Sequence, residues 1–285
     1  MKTAVKNKSG RSLNQKNMRK IINAGFIALM LTLTYIPIIM IVIFSFTQSR
    51  SFGDWNSYKF TFALFEELFE DAEIMRSLGN SLFIGLVASL LATVIGTFSV
   101  IGLFYSRKKI RAAIEYSGQI TMFNADIVTA LSMAVFFAFL SIKSDYVRLI
   151  LAHTVICLPY VIMSIMPRLY QLNPNVYEAG LDLGAPPART LLTVILPQLI
   201  GGMIAGFALA FTISMDDFTI TMFVSNLDTI PTYLYTKLRL KSIMPQLRAL
   251  SAVLMAAVMA VLAAVNIFSA RKNKKSQKLA AQNRV

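Results

Sequence analysis

The sequence predicts an all-α polytopic membrane protein with six transmembrane helices. Composition says so first: 56% of the 285 residues are hydrophobic and only 15% charged, where soluble domains carry roughly 25%. Mean hydropathy is +0.61. The apolar residues gather in runs long enough to cross a hydrocarbon core of ~30 Å at ~1.5 Å per residue. The formal net charge is +14, but the Lys and Arg residues sit at the ends of those runs and at the termini. That distribution suits anionic lipid beside the membrane and gives no sign of a nucleic-acid face.

Residues 1–20 are a basic segment with seven Lys/Arg and no acid. The first span is expected over 21–46, with Pro37 inside it. It is too long for the apolar core of a cleavable signal, and no small-residue cleavage site follows. Residues 47–79 form the longest loop and hold Asp54, Glu66, Glu67, Glu70, Asp71 and Glu73. Within it Phe62, Phe65, Leu68 and Phe69 recur at helical spacing, which predicts a short helix at the membrane surface. The second span is expected over 80–104, followed at once by Arg107, Lys108, Lys109 and Arg111. The third is expected over 118–142, the fourth over 146–169, the fifth over 196–218 and the sixth over 247–268. A basic tail, 271–285, closes a membrane domain of residues 21–270.

Placing both termini in the cytoplasm puts 19 of the 28 basic residues inside, as the positive-inside bias requires. Segment 219–246 fits least well, because Lys237, Arg239 and Lys241 then fall outside. Its apolar pieces are too short to span, so it is expected to be re-entrant or to lie on the outer surface, held by protein.

Nothing in the chain points to catalysis. Its single cysteine, Cys157, cannot form an internal disulfide, no metal-ligand cluster is present, and no Gly-rich phosphate loop appears. The one histidine, His153, is expected to be packed and hydrogen-bonded within the fourth span. Gly202 and Gly206 allow close helix packing, expected across a subunit interface. The methionines are expected to pack, and Pro159 and Pro167 to kink the end of the fourth span.

The polar stretch 173–197 carries more helix punctuation than a connector needs. Asn173 can cap and Pro174 fits the first helical position, Gly184 suits a C-terminus, and Pro186-Pro187 can open a second helix. Glu178 and Asp182 share one face, as do Tyr177 and Leu181, while Gly180 and Gly184 leave room for another backbone. Glu178-Ala179-Gly180, three residues, Gly184, nine residues, then Val194-Ile195-Leu196-Pro197 resembles the EAA loop of ABC-importer permeases. Gly180 stands where that pattern has alanine, a loss of ~1 kcal/mol of helix propensity, and Val194 stands where it has isoleucine.

The resemblance covers nearly the whole chain. It implies a type I ABC-importer permease fold in a bacterial cell membrane. It further implies a coupling loop at 173–197 that docks on an ATPase subunit through Glu178, Ala179, Gly180, Asp182, Gly184 and Pro197. FTISMDDFTITMFVS, PTYLYTKLR and Asp126-Ile127-Val128 are similar to the spermidine/putrescine permease group, its C-type subunit in particular. There the group usually has proline before the aspartate and this chain has Ala125, which leaves the local backbone break open. The implied partners are two ABC ATPase subunits that bind the ATP, a second permease and an extracytoplasmic solute-binding protein. This chain itself would hold no cofactor.

Asp126, Asp216 and Asp217 bear on what crosses. An aspartate inside a span costs ~2.5–3.5 kcal/mol on insertion and should face protein or water. Carboxylates at the outer end of the fifth span suit a cationic substrate. For Asp126 a structural hydrogen-bonding role is the simpler expectation. Asp216 and Asp217 serve equally well as solvated helix-end residues paired with Lys237 or Arg239. Alternative readings are an importer of iron, thiamine or a phosphonate, or an ion-driven transporter, which would not need a docking loop.

Overall fold

The computed structural model describes residues 3–47, 59–173, 175–239, 245–256 and 259. Secondary structure among them is helical, apart from one isolated antiparallel bridge between Thr47 and Phe60. Residues 1–71 with 243–285 form one compact unit, and residues 72–242 form another.

In the first unit, helix α1 (Thr3–Ser45) runs unbroken through Pro37. Its apolar part, Ile22–Ser45, is long and apolar enough to cross a membrane. Helix α2 (Ala63–Glu70) buries Leu64 and Leu68, one turn apart. Of the phenylalanines expected on its apolar face, Phe62 and Phe65 instead gather with Phe46, and Phe69 is exposed. The Phe46 and Phe60 rings stack at 5.5 Å, and Phe62 meets Phe46 edge-on at 5.6 Å. The expected sixth span begins as helix α12 (Gln246–Ala256). Its remainder and the 271–285 tail lie outside the described residues.

The second unit starts with α3 (Ala72–Tyr105), a helix of 34 residues. The stretch expected as one surface helix is therefore two elements. Asp71 takes an extended conformation (ψ 103°) and ends α2, and the residues after it are the first turns of the second span. The expected third span is also broken. Helix α4 (Lys108–Phe123) stops at Asn124, and α5 (Asp126–Phe139) starts after Ala125. Alanine makes this break without proline because Ala125 adopts φ −65°, ψ 131°, a conformation open to proline itself.

Helices α6 (Asp145–Tyr170) and α9 (Leu196–Asp216) pack antiparallel in one strict register. Gly202 faces Ile165, Gly206 faces Val161, Ala210 accepts a hydrogen bond from Cys157 Sγ (3.3 Å), and Ser214 Oγ lies 2.7 Å from His153 Nδ1. All four α9 residues are buried and all are small. Four-residue steps keep them on one stripe of the helix, and small side chains let the two backbones close up. The Gly202/Gly206 pair is thus used inside the subunit, against α6, and not at an interface between subunits. The third member of the core is α3, whose Gly96 admits Val161: a Cβ there would come within 2.7 Å of Val161 Cγ1. Hydroxyls buried in α3 turn back on their own helix, as in Thr93 to Ser89 O (2.7 Å) and Thr97 to Thr93 O (2.6 Å). They place no unmet polar group in the apolar layer.

Two short helices, α10 (Thr219–Val224) and α11 (Ile230–Arg239), lie in the segment that fitted charge bias poorly, whose Lys241 is outside the described residues. Protein holds it, as expected. Asn80 Nδ2 donates to Asp228 O (2.9 Å), Ser81 Oγ accepts from Ile230 N (2.8 Å), and Lys237 pairs with Glu73 (2.8 Å).

The break at 124–125 predicts that Ala125→Pro is accommodated. Asn124 already has ψ 143°, which a following proline requires. The variant should gain about 0.4–1 kcal/mol through the unfolded state, read as a higher thermal midpoint in detergent. Neighbouring glycines on α9 should respond with opposite signs. Gly202→Ala places a methyl 3.0 Å from the Ile165 Cα and should lose about 1–3 kcal/mol. Gly201→Ala meets nothing closer than 3.8 Å and should gain about 0.5–1 kcal/mol.

Candidate functional site

Two separate features of the second unit carry chemistry: an exposed elbow at 173–197 and an acidic cavity near the far end of α9.

The elbow is built as its residues dictate. Asn173 Oδ1 accepts from Asn175 N (3.0 Å) and opens α7 (Asn175–Asp182). Pro174, expected at the first helical position, lies outside the described residues. At the other end, Gly184 takes φ +82°, its N–H donates to Leu181 O (2.8 Å), and Ala185 N donates to Gly180 O (3.3 Å). This pair of bonds is a Schellman closure, which needs a left-handed residue where glycine stands. Pro186 and Pro187 then open α8 (Pro187–Thr190).

Gly180 faces inward across this corner. A Cβ on it would lie 2.5 Å from Thr190 Cγ2, so α7 and α8 touch through the missing side chain. Glycine at this position is a steric fit to Thr190 as well as a loss of helix propensity. Glu178, Ala179, Asp182 and Gly184 are exposed, and Leu183, at the tip, is 89% exposed. Tyr177 packs against the core instead. Reading the sequence missed Leu183, whose exposure follows from the Schellman turn placing it past the helix end. It also missed a π-helical turn at Leu191–Ile195, which merges α8 into α9 just before Pro197. A proline inside a continuous helix clashes with the preceding turn, and the widened turn accommodates it.

The cavity measures about 200 Å³ and brings Asp126 of α5 together with Asp216 and Asp217 at the end of α9, beside Tyr160 and Thr129. Among the described residues, no Lys or Arg lines it. Asp126 is the first residue of α5, where a carboxylate meets the positive end of the helix dipole. Asp216 is the last residue of α9 and is exposed. Asp217 is mostly enclosed, with 9% of its side chain accessible. Its Oδ2 accepts from Thr221 N (3.0 Å) and Thr221 Oγ1 (3.2 Å), its Oδ1 from Ile220 N (3.3 Å), and His153 Nε2 lies 3.6 Å away. Pairing of Asp217 with Lys237 is replaced by these contacts, since Lys237 is engaged with Glu73. Asp217 is also set back from the start of α6. His153, beside Asp217, stands eight residues along α6 from Asp145, about 12 Å at the usual helical rise. His153 itself is buried and hydrogen-bonded, as expected.

Among protein families, residues 92–274 match the binding-protein-dependent transport system inner membrane component. The chain is 30% identical to the spermidine/putrescine transport system permease protein PotC of Haemophilus influenzae, over 84% of this chain and 93% of that one. It is also 30% identical to the putrescine transport system permease protein PotI of Escherichia coli K12, over 80% and 83%. Among solved structures, it resembles a bacterial ABC transporter involved in import of the acidic polysaccharide alginate. There the TM-score is 0.68 at 15% identity, covering 89% of this chain and 96% of that one. An amino acid ABC transporter shares the fold at a TM-score of 0.53 and 15% identity, over 71% and 96%.

The Gly180–Thr190 contact predicts a compensating pair. Gly180→Ala alone should destabilise the elbow by about 1–3 kcal/mol through overpacking. Combined with Thr190→Ser, which removes the obstructing methyl, most of that loss should be recovered. Limited proteolysis at the elbow checks both. Equal susceptibility of single and double variants would disprove the fit.

Proposed function

Because the chain belongs to the family of binding-protein-dependent transport system inner membrane components, we infer that it is the permease subunit of an ABC importer that carries polyamines into a bacterial cell. The observation that carries the substrate reading is the acidic cavity. Three carboxylates and a tyrosine line it, with no basic residue among the described residues. Such a pocket raises the local concentration of cations and offers charge-assisted hydrogen bonds to ammonium groups. It would repel an acidic polymer or a phosphonate. The names of the relatives, spermidine/putrescine and putrescine permeases, point the same way.

In this reading the termini and the elbow face the cytoplasm, and α10 and α11 lie toward the outside. Two ATPase subunits bind ATP and receive the elbow, a second permease completes the pathway, and a solute-binding protein delivers substrate outside. Glu178, Ala179, Asp182, Leu183 and Gly184 form the surface offered to the ATPase, while Gly180 and Thr190 keep α7 and α8 together. Closure of the ATPases pushes the elbow. Pro197 and the π-helical turn pass that motion to α9, and its tight register with α6 makes the two helices move as one. The cavity then opens alternately to each side. The chain's own part is to bind, expose and release the cation, with no covalent step.

The test is uptake of radiolabelled spermidine and putrescine by the reconstituted complex. Asp216→Asn and Asp126→Asn each remove a charge-assisted contact worth about 1.5–3 kcal/mol, so each should raise the half-saturating concentration about 10- to 100-fold. Assembly with the ATPases should be unchanged. Uptake of another solute, with neither polyamine carried, would overturn the substrate reading.

A further inference from the structure

We propose that His153, which does not line the cavity, is a positioning residue for substrate binding: it sets the aim of Asp216 from behind the cavity wall. The proposal rests on the reading above, that a cation binds at this cavity.

Three aspartates line the cavity, but their carboxylates are not equivalent. Asp217 accepts from two backbone N–H groups and the Thr221 hydroxyl. Its carboxylate is therefore taken up in capping α10, the use to which a helix N-terminus puts an acid. Asp216 is exposed, and it is the last helical residue before the chain turns at Asp217 (φ −69°, ψ 123°). The direction of its side chain follows from how that turn is held.

His153 holds it from three sides. Nδ1 lies 2.7 Å from Ser214 Oγ, near the end of α9, and Nε2 lies 3.1 Å from Thr221 Oγ1, on α10. Nε2 also lies 3.6 Å from Asp217 Oδ2. One ring on α6 thus ties the last turn of α9, the corner residue and the first turn of α10. The ring is 1% exposed, so it reaches no solute. The Thr221 hydroxyl donates its proton to Asp217 and therefore accepts from Nε2–H, which leaves Nδ1 to accept from the Ser214 hydroxyl and the neutral ring satisfied on both sides. Loss of the ring would free the corner without removing a carboxylate from the cavity.

The experiment is spermidine uptake by the complete reconstituted complex: ATPases, both permeases and binding protein. His153→Leu keeps the bulk and removes both hydrogen bonds. It should raise KM about tenfold, with maximal velocity within about twofold of wild type. His153→Gln, which can reach one hydroxyl, should recover part of that loss. Thr221→Val should shift KM in the same direction by less, and it keeps the test open if His153→Leu does not assemble. Unchanged KM in both His153→Leu and Thr221→Val overturns the proposal, as does a fall in maximal velocity alone. A wild-type complex that carries no polyamine would instead sink the transport reading, so the two failures are distinct.

Discussion

The rest of the second unit depends on one interaction, the antiparallel contact between α6 and α9. No hydrophobic effect draws two helices together inside lipid, because lipid tails are as apolar as leucine. Close packing and hydrogen bonds must supply the attraction. Gly202, Gly206, Ala210 and Ser214 supply it here by bringing the α9 backbone against Ile165, Val161, Cys157 and His153. The two ends of that stripe serve different purposes. Ser214 leads into the His153 network and the acidic cavity, and Gly202 lies toward the elbow. A displacement at one end of so tight a contact reaches the other end.

Much of this was legible in the sequence, for physical reasons. Helix boundaries at the elbow were written in Asn173, Gly184 and Pro187, because each supplies backbone chemistry that few other residues do. The long spans were legible as apolar runs. Among the described residues, four helices are long and apolar enough to cross a membrane. Of the other two expected spans, the third is a pair of helices broken at 124–125, and the sixth is described only over α12. The break itself stayed open because Ala125 carries no local signal; its conformation is set by what surrounds it.

Less of the cavity could be read. Asp126 and Asp217 drew attention as charges in apolar sequence, but nothing local brings them to one pocket. His153 and Ser214 are 61 positions apart, and only the register of α6 on α9 makes them neighbours. For the same reason the glycine pair was legible as a packing surface while its partner was not. Spacing reveals that a stripe exists; it does not say which helix covers it. Gly180 shows the converse, since its fit to Thr190 explains a residue that propensity alone would count as a loss.

The π-helical turn at Leu191–Ile195 has a consequence for the length of the chain. An α-helix rotates about 100° per residue, so the stripe from Gly202 to Ser214 meets α6 only at one angular phase. That phase is set where the elbow joins α9, and the turn before Pro197 is part of the setting. Insertion or deletion of one residue between Thr190 and Leu199 would leave composition, hydropathy and span length almost unaltered. It would also turn the small residues away from α6. The interval from Gly184 to Pro197 is therefore a rotational constant of the fold, which is why a spacing, more than any single residue, identifies this stretch.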